Sequence, residues 1–214
     1  MTERTKGALT EKGRATRQRI VEATALRVLD DGVDGTSLDD VRAATLTSKS
    51  QLFHYFPGGK AELVRAVAQW EGEQLLAAQE PYLSDLSTWE SWAAWRRGLE
   101  AYYLDLGRWA CPIGSLTAQL AATDAKTADF LRTAWTTWRT RLADGVRRMQ
   151  AAGRIDPGAD ADRLATSVLA AIQGGLLLSQ PERASWPLAA ALDTAWATLH
   201  TPTTTAAEAA SAGA

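Results

Sequence analysis

Between Thr36 and Gly59 the sequence leaves room for two short helices and almost nothing to join them. Thr36 or Ser37 offers an N-cap, and Asp39 and Asp40 follow in the first turn, where acidic side chains are favoured, for a helix ending near Ala44. Thr47 or Ser48 caps a second helix reaching about Tyr55, and Phe56-Pro57-Gly58-Gly59 then turns the chain. A longer helix precedes them, from Arg14 to Asp31, with Ile20, Thr24 and Val28 on one face and Gly32 just past its end. Arg27 lies beside that face, its stem expected to pack and its head to reach water. Two short helices about a tight connection, braced by a longer one, make the arrangement of a helix-turn-helix.

The second short helix carries the chemistry. Leu52 and Phe56 are four apart and point to the core, which leaves Ser48, Lys49, Ser50, Gln51, His54 and Tyr55 facing outward. Gln makes a bidentate contact to adenine, Lys suits guanine or a phosphate, and Ser and Tyr hold phosphates. The helix N-terminus adds a dipole that favours phosphate. Net charge is −2, which by itself argues against a nucleic-acid partner. The charge is uneven, however: Arg4, Lys6, Lys12, Arg14, Arg17 and Arg19 stand against only Glu3 and Glu11 before Ile20, a local excess that serves either phosphate contact or solubility.

Past this segment the pattern stays helical. Hydrophobic residues make up 46% of 214 residues, enough for a core, and alanine and leucine dominate while strand-length β-branched runs are missing. Helices are expected from Lys60 to about Gln79, from Trp89 toward Leu106, from Ser115 to Ala122 after a break at Cys111-Pro112-Ile113-Gly114, from Ala125 to Ala152, from Asp160 to Ser179 and from Ser185 to Leu199. Pro187 falls in a first turn, where proline is tolerated. Residues 1–13 read as a flexible basic arm, 14–59 as a helix-turn-helix domain, 60–200 as a larger helical domain, and 201–214 as a disordered tail. No stretch is long enough to span a bilayer, and no apolar centre of a signal peptide stands at the N-terminus, so a cytoplasmic protein without membrane association is expected. The single cysteine, Cys111, fits a reducing compartment.

All nine tryptophans lie at Trp70 or beyond. Trp89, Trp92, Trp95, Trp135 and Trp138 recur at helical spacing, which suits a core and equally the lining of a ligand cavity; about half are expected to touch a pocket. Candidate effector-binding residues are Trp92, Tyr103, Trp109, Cys111, Trp135, Trp138 and Gln173. Ala170, Ala171, Gly174 and Gly175 allow close helix approach, and Leu177, Leu178, Leu188, Leu192, Trp196 and Leu199 supply apolar area. Gly174, Leu178, Leu188, Leu192 and Trp196 are the candidate dimer interface. Pairing is favoured because one short recognition helix binds weakly. An enzyme fails on inventory: His54 and His200 are far apart, and no zinc-spaced cluster, phosphate-cradling loop or nucleophile–base pair is present. No cofactor or metal is expected.

The run Thr36-Ser-Leu-Asp-Asp-Val-Arg-Ala-Ala, continued by Ser48-Lys-Ser-Gln-Leu-Phe-His-Tyr-Phe-Pro-Gly-Gly-Lys60-Ala-Glu-Leu63, resembles the DNA-binding signature of the TetR family over roughly the first third of the chain. Cys111-Pro-Ile-Gly-Ser-Leu116 resembles the subgroup with LmrA/YxaF-like C-terminal domains. The resemblance implies an all-α fold, with a three-helix DNA-binding domain followed by a ligand-binding and dimerisation domain. It implies a homodimer on a palindromic operator in double-stranded DNA, with repression relieved by a small-molecule effector. Ser37, Ser48 and Lys60 are then phosphate contacts beside the base-reading set Lys49, Ser50, Gln51, His54 and Tyr55. A helix starting near Lys60 would transmit effector binding to the recognition helices. Three positions depart from the family pattern: Leu46 stands where glycine is usual, the Pro57–Gly59 loop is one residue longer, and Arg27 replaces an apolar residue. The alternative is a helical ligand-binding or scaffolding dimer with weakened DNA binding.

Overall fold

The computed structural model describes residues 9–200, apart from 106, 108 and 123. Among these residues every regular element is helical: α1 Glu11–Gly35, α2 Leu38–Thr45, α3 Lys49–Tyr55, α4 Gly59–Ala77, α5 Trp89–Asp105, α6 Pro112–Leu120, α7 Ala125–Ala151, α8 Ala161–Glu182 and α9 Trp186–His200, with a 3-10 turn at Tyr82–Ser84. The tail expected over 201–214 lies outside the described residues, as does most of the arm expected over 1–13. Of that arm, Glu11–Gly13 already belong to α1, because the Thr10 side chain caps the helix by accepting the Gly13 N–H at 3.1 Å.

Two further differences from the sequence expectations have plain causes. The break expected at Cys111–Gly114 is the start of α6 instead. Proline at the first helical position lacks only an N–H that the helix would leave unpaired there. Inside α1, Gly32 takes φ 74°, ψ 171°, so the chain kinks and resumes a last helical stretch to Gly35. An L side chain would resist that backbone.

The chain divides into two compact units: one holds residues through Gly72 together with Ser115–Leu131, the other Glu73–Gly114 and Arg132 onward. In the first, Ile20, Val21 and Val28 of α1, Val41 of α2, Leu52 and Phe56 at α3, and Leu63 and Val67 of α4 are all buried. Each such side chain contributes about 1.5–3 kcal/mol by leaving water. The Arg17 guanidinium lies 5.0 Å from the centre of the Phe56 ring, closing the end of α3 with a cation–π contact.

In the second unit α5 buries Trp92, Trp95, Leu99 and Tyr103, one face at helical spacing. The Trp95 indole donates to Gln79 Oε1 at 2.9 Å, so this buried ring carries no orphan donor. Helices α8 and α9 pack closely, and the approach is set at Gly175. A Cβ there would lie 2.8 Å from Leu188 Cα and 2.9 Å from Ala191 Cβ, whereas one at Gly174 would meet nothing within 4 Å. Gly175→Ala should therefore lower stability by about 1–3 kcal/mol, while Gly174→Ala leaves it unchanged or raises it by up to about 1 kcal/mol. Urea denaturation midpoints of the two variants check this contrast.

Candidate nucleic-acid interface

A seven-residue helix has few internal hydrogen bonds, so its ends decide whether it forms. Both short helices are closed by the same device. Ser37 accepts the Asp40 N–H at 3.1 Å while Asp40 Oδ2 accepts the Ser37 N–H at 3.1 Å. Ser48 likewise accepts the Gln51 N–H at 3.1 Å, and Gln51 Oε1 accepts the Ser48 N–H at 3.0 Å. These capping boxes satisfy two backbone donors each, and losing such a cap costs about 1 kcal/mol. The Ser37 hydroxyl and backbone N–H also hold the Asp40 carboxyl below the usual carboxylate range, so the first box stays charged at neutral pH.

Between the boxes, the chain turns through Leu46 at φ 52°, ψ 38°. The Thr47 N–H reaches Arg42 O at 3.1 Å and the Leu46 N–H reaches Ala43 O at 3.5 Å, the paired bonds of a Schellman C-cap. Thr45 Oγ1 bonds Val41 O at 2.8 Å and lies 2.8 Å from Thr47 Oγ1. From α1, Arg19 Nη1 donates to Thr45 O at 2.7 Å. The turn thus does require the left-handed backbone that glycine adopts freely, and Leu46 adopts it with its side chain 90% exposed. Nothing packed compensates the strain.

The result is a recognition helix with two unlike sides. Leu52 and Phe56 are buried, whereas Ser48, Lys49, Ser50, Gln51 and His54 are exposed and Tyr55 is half-buried. The His54 and Tyr55 rings meet edge to face at 5.0 Å. Ser37 is exposed at the start of α2, with its hydroxyl donating to Asp40 Oδ2 at 2.5 Å. Lys60, in the first turn of α4, is half-buried and donates to Asp34 O at 3.4 Å. The sequence-predicted DNA residues therefore lie on α3 and on the starts of α2 and α4.

In the second unit Cys111 is buried beside the Tyr103 and Gln173 side chains and the Gly114 N–H. Burial pushes its thiol above the ordinary range, so it stays protonated at neutral pH. Gln173 Oε1 is so close to Gly114 that a Cβ there would be 2.5 Å away. Tyr103, Cys111 and Gln173 thus come together. Trp138 is buried, with its ring stacked at 5.9 Å on Trp135, which is half-buried like Trp109. Trp92 lines a small, half-open cleft with Trp95, Val168, Leu192 and Trp196. Buried N–H groups of Trp92, Trp138 and Gln173 have no partner. Of the candidate dimer residues, Leu188 and Leu192 are buried within the chain and Trp196 is half-buried, while Gly174 and Leu178 are exposed. Leu177, expected from sequence to supply apolar area, is 65% exposed, and Trp186, which sequence did not single out, is 62% exposed.

Among the described residues no group of three His, Cys, Asp or Glu could hold a metal ion, and no helix is long and apolar enough to cross a membrane. The fold and this site define a helix-turn-helix DNA-binding regulator. A family model described as the Tetracyclin repressor-like, C-terminal domain matches residues 89–195, half of the chain. The chain belongs to the TetR family, whose members are regulators and not enzymes. An HTH-type transcriptional regulator in the lacX 3' region of Lactococcus lactis subsp. lactis is 26% identical over 174 residues, 77% of this chain and 83% of its own. An HTH-type regulator of Mycobacterium tuberculosis is 31% identical over 61 residues, 28% of this chain and 31% of its own. Similar folds are seen in crystal structures of regulatory protein TetR from Rhodobacter sphaeroides (TM-score 0.76, 22% identity, 84% of this chain and 96% of that one) and of a TetR transcriptional regulator from Chloroflexus aurantiacus (TM-score 0.77, 22% identity, 90% and 98%).

The strained turn yields a direct test. Leu46→Gly should stabilise the protein by about 1 kcal/mol, raising Tm by about 2–4 °C. Calorimetry on the two proteins measures it.

Proposed function

We propose that this chain binds a palindromic operator in double-stranded DNA as a homodimer and represses transcription until a small hydrophobic or aromatic effector releases it. The observation that carries the reading is the outer face of α3, where capped, hydrogen-bonding side chains stand exposed above a buried Leu52–Phe56 seam. Residues 14–59 act as the DNA-binding domain and 60–200 as the ligand-binding and dimerisation domain, in a cytoplasmic protein. Ser37, Ser48, Lys49, Ser50, Gln51, His54, Tyr55 and Lys60 form the contact set. Ser48 accepts the Gln51 N–H and keeps its hydroxyl hydrogen for a phosphate. Ser37 would redirect to phosphate the hydrogen it now gives Asp40. Gln51 reads adenine by sharing the second lone pair of its capped Oε1.

The effector site is built from Trp92, Tyr103, Trp109, Cys111, Trp135, Trp138 and Gln173. Unpaired N–H donors amid apolar rings favour an uncharged effector carrying hydrogen-bond acceptors. The Cys111–Leu116 run supports an LmrA/YxaF-like C-terminal domain. Dimerisation uses the exposed side of α8 and α9, with Gly174 and Leu178 at the surface, Trp196 half-buried at its edge and Leu188 and Leu192 backing it. The effector acts through α4, and release requires that it bind the DNA-incompetent arrangement more tightly. The strained Leu46 turn is the one observation favouring a ligand-binding dimer with weakened DNA binding.

A salt titration on the protein's own upstream DNA separates the two readings. A repressor binds tightly at low salt, with log K falling by about 0.9 per phosphate neutralised for each unit of log salt. Lys49→Ala weakens binding, and it reduces the salt slope by about one if that lysine holds a phosphate. Failure of the unmodified protein to bind at low salt would contradict the repressor reading.

A further inference from the structure

We infer that Gln119, on α6, is a positioning residue for DNA binding: it latches the corner between α1 and α2 and so sets the recognition helix. The inference rests on the DNA-binding reading and adds the regulation of that same site.

The corner needs a latch because of Gly32. Its extended ψ turns the Val33 N–H out of the α1 ladder, and Val33 is 7% exposed, so water does not replace the lost acceptor. Gln119 Oε1 accepts that N–H at 2.7 Å, across 86 residues of chain. The other end of the amide donates to Ser115 O at 3.2 Å, which fixes which way the group faces. Gly32 serves the contact twice: a Cβ there would stand 3.1 Å from Gln119 Oε1, and φ 74° is itself a glycine conformation.

The reading head begins directly beyond the latch. Thr36 Oγ1 donates to Gly32 O at 2.8 Å and the Thr36 N–H to Val33 O at 3.4 Å. Ser37 then caps α2, and α2 is joined to α3 by the Leu46 turn. Hence the direction in which α2 leaves the corner also fixes α3. The Arg65–Asp124 ion pair, at 3.6 Å, separately ties the chain just after α6 to α4, so removal of Gln119 alone leaves the unit assembled.

Two variants test the latch. Gln119→Leu removes the acceptor at similar size, whereas Gln119→Glu keeps an oxygen that accepts from Val33. Hydrogen exchange on the free protein should show the Val33 amide exchanging about tenfold faster in Gln119→Leu. Amides of α2 and α3 speed up with it, α8 and α9 stay unchanged, and Gln119→Glu, which keeps the acceptor for Val33 but loses the donor to Ser115 O, restores most of the protection lost in Gln119→Leu. On the upstream DNA, Gln119→Leu should bind about tenfold more weakly with an unchanged salt slope, because no phosphate contact is lost. Unchanged exchange in α2 and α3, unchanged DNA affinity, or no rescue by Gln119→Glu overturns the latch. Absence of DNA binding by the unmodified protein overturns the repressor reading instead, while the exchange arm still decides the latch.

Discussion

A helix of seven residues does not hold itself in water, and α3 is that short. Its existence depends on what closes its ends and what covers one side. Ser48 and Gln51 close the N-terminus, the Phe56 N–H bonds Leu52 O at the other end, and Leu52 and Phe56 sink into the unit's core. With those groups committed, the remaining side chains have only solvent or a partner to meet. The exposed polar face is thus a consequence of how the helix is made stable, and its fitness for a DNA groove comes from the same residues. Support continues backward through the Leu46 turn, the Arg19 contact to Thr45 and the Gly32 corner.

The second unit is organised by a different constraint. Here α8 and α9 come together because Gly175 leaves no side chain between them, and that close approach covers Leu188 and Leu192. The same geometry turns Leu177 and Leu178 outward. An interior with buried indole and amide N–H groups lacking partners is poorly settled as a pure packing core. It is better suited to receive a molecule that supplies the acceptors. Cys111 sits among such groups as a neutral, buried thiol, a packing and hydrogen-bonding element in place of a reactive one.

Much of the DNA-binding end was legible because its signals are local. Ser37 and Ser48 as caps and the outward set on α3 depend on residues within four positions of one another, while the leucine at position 46 stood out through the family resemblance. The unread parts are those decided by distant chain. Gly32 looked like a helix terminator, yet α1 resumes beyond it to Gly35, with the Val33 N–H met by Gln119 from far along the sequence. Pro112 and Gly114 looked like a break because both disfavour helix interiors, yet at the first turn of α6 proline is compatible. Leu188 and Leu192 could not be told from Leu177 and Leu178 by hydrophobicity, since which face meets α8 is settled by Gly175 in three dimensions. Gln119 carried no sequence signal at all: a glutamine on a short helix is ordinary until its partner is known.

Paired recognition helices that read DNA through the outer face of α3 would leave a defined pattern of contacts on the duplex. A footprint at base resolution on the upstream DNA, made with a probe of major-groove guanines, measures this most directly. Two symmetric protected patches are expected, centred about 34–36 Å, one helical turn, or a whole multiple of that apart. Protection that covers a single patch, or that spreads evenly with no dependence on sequence, would contradict it.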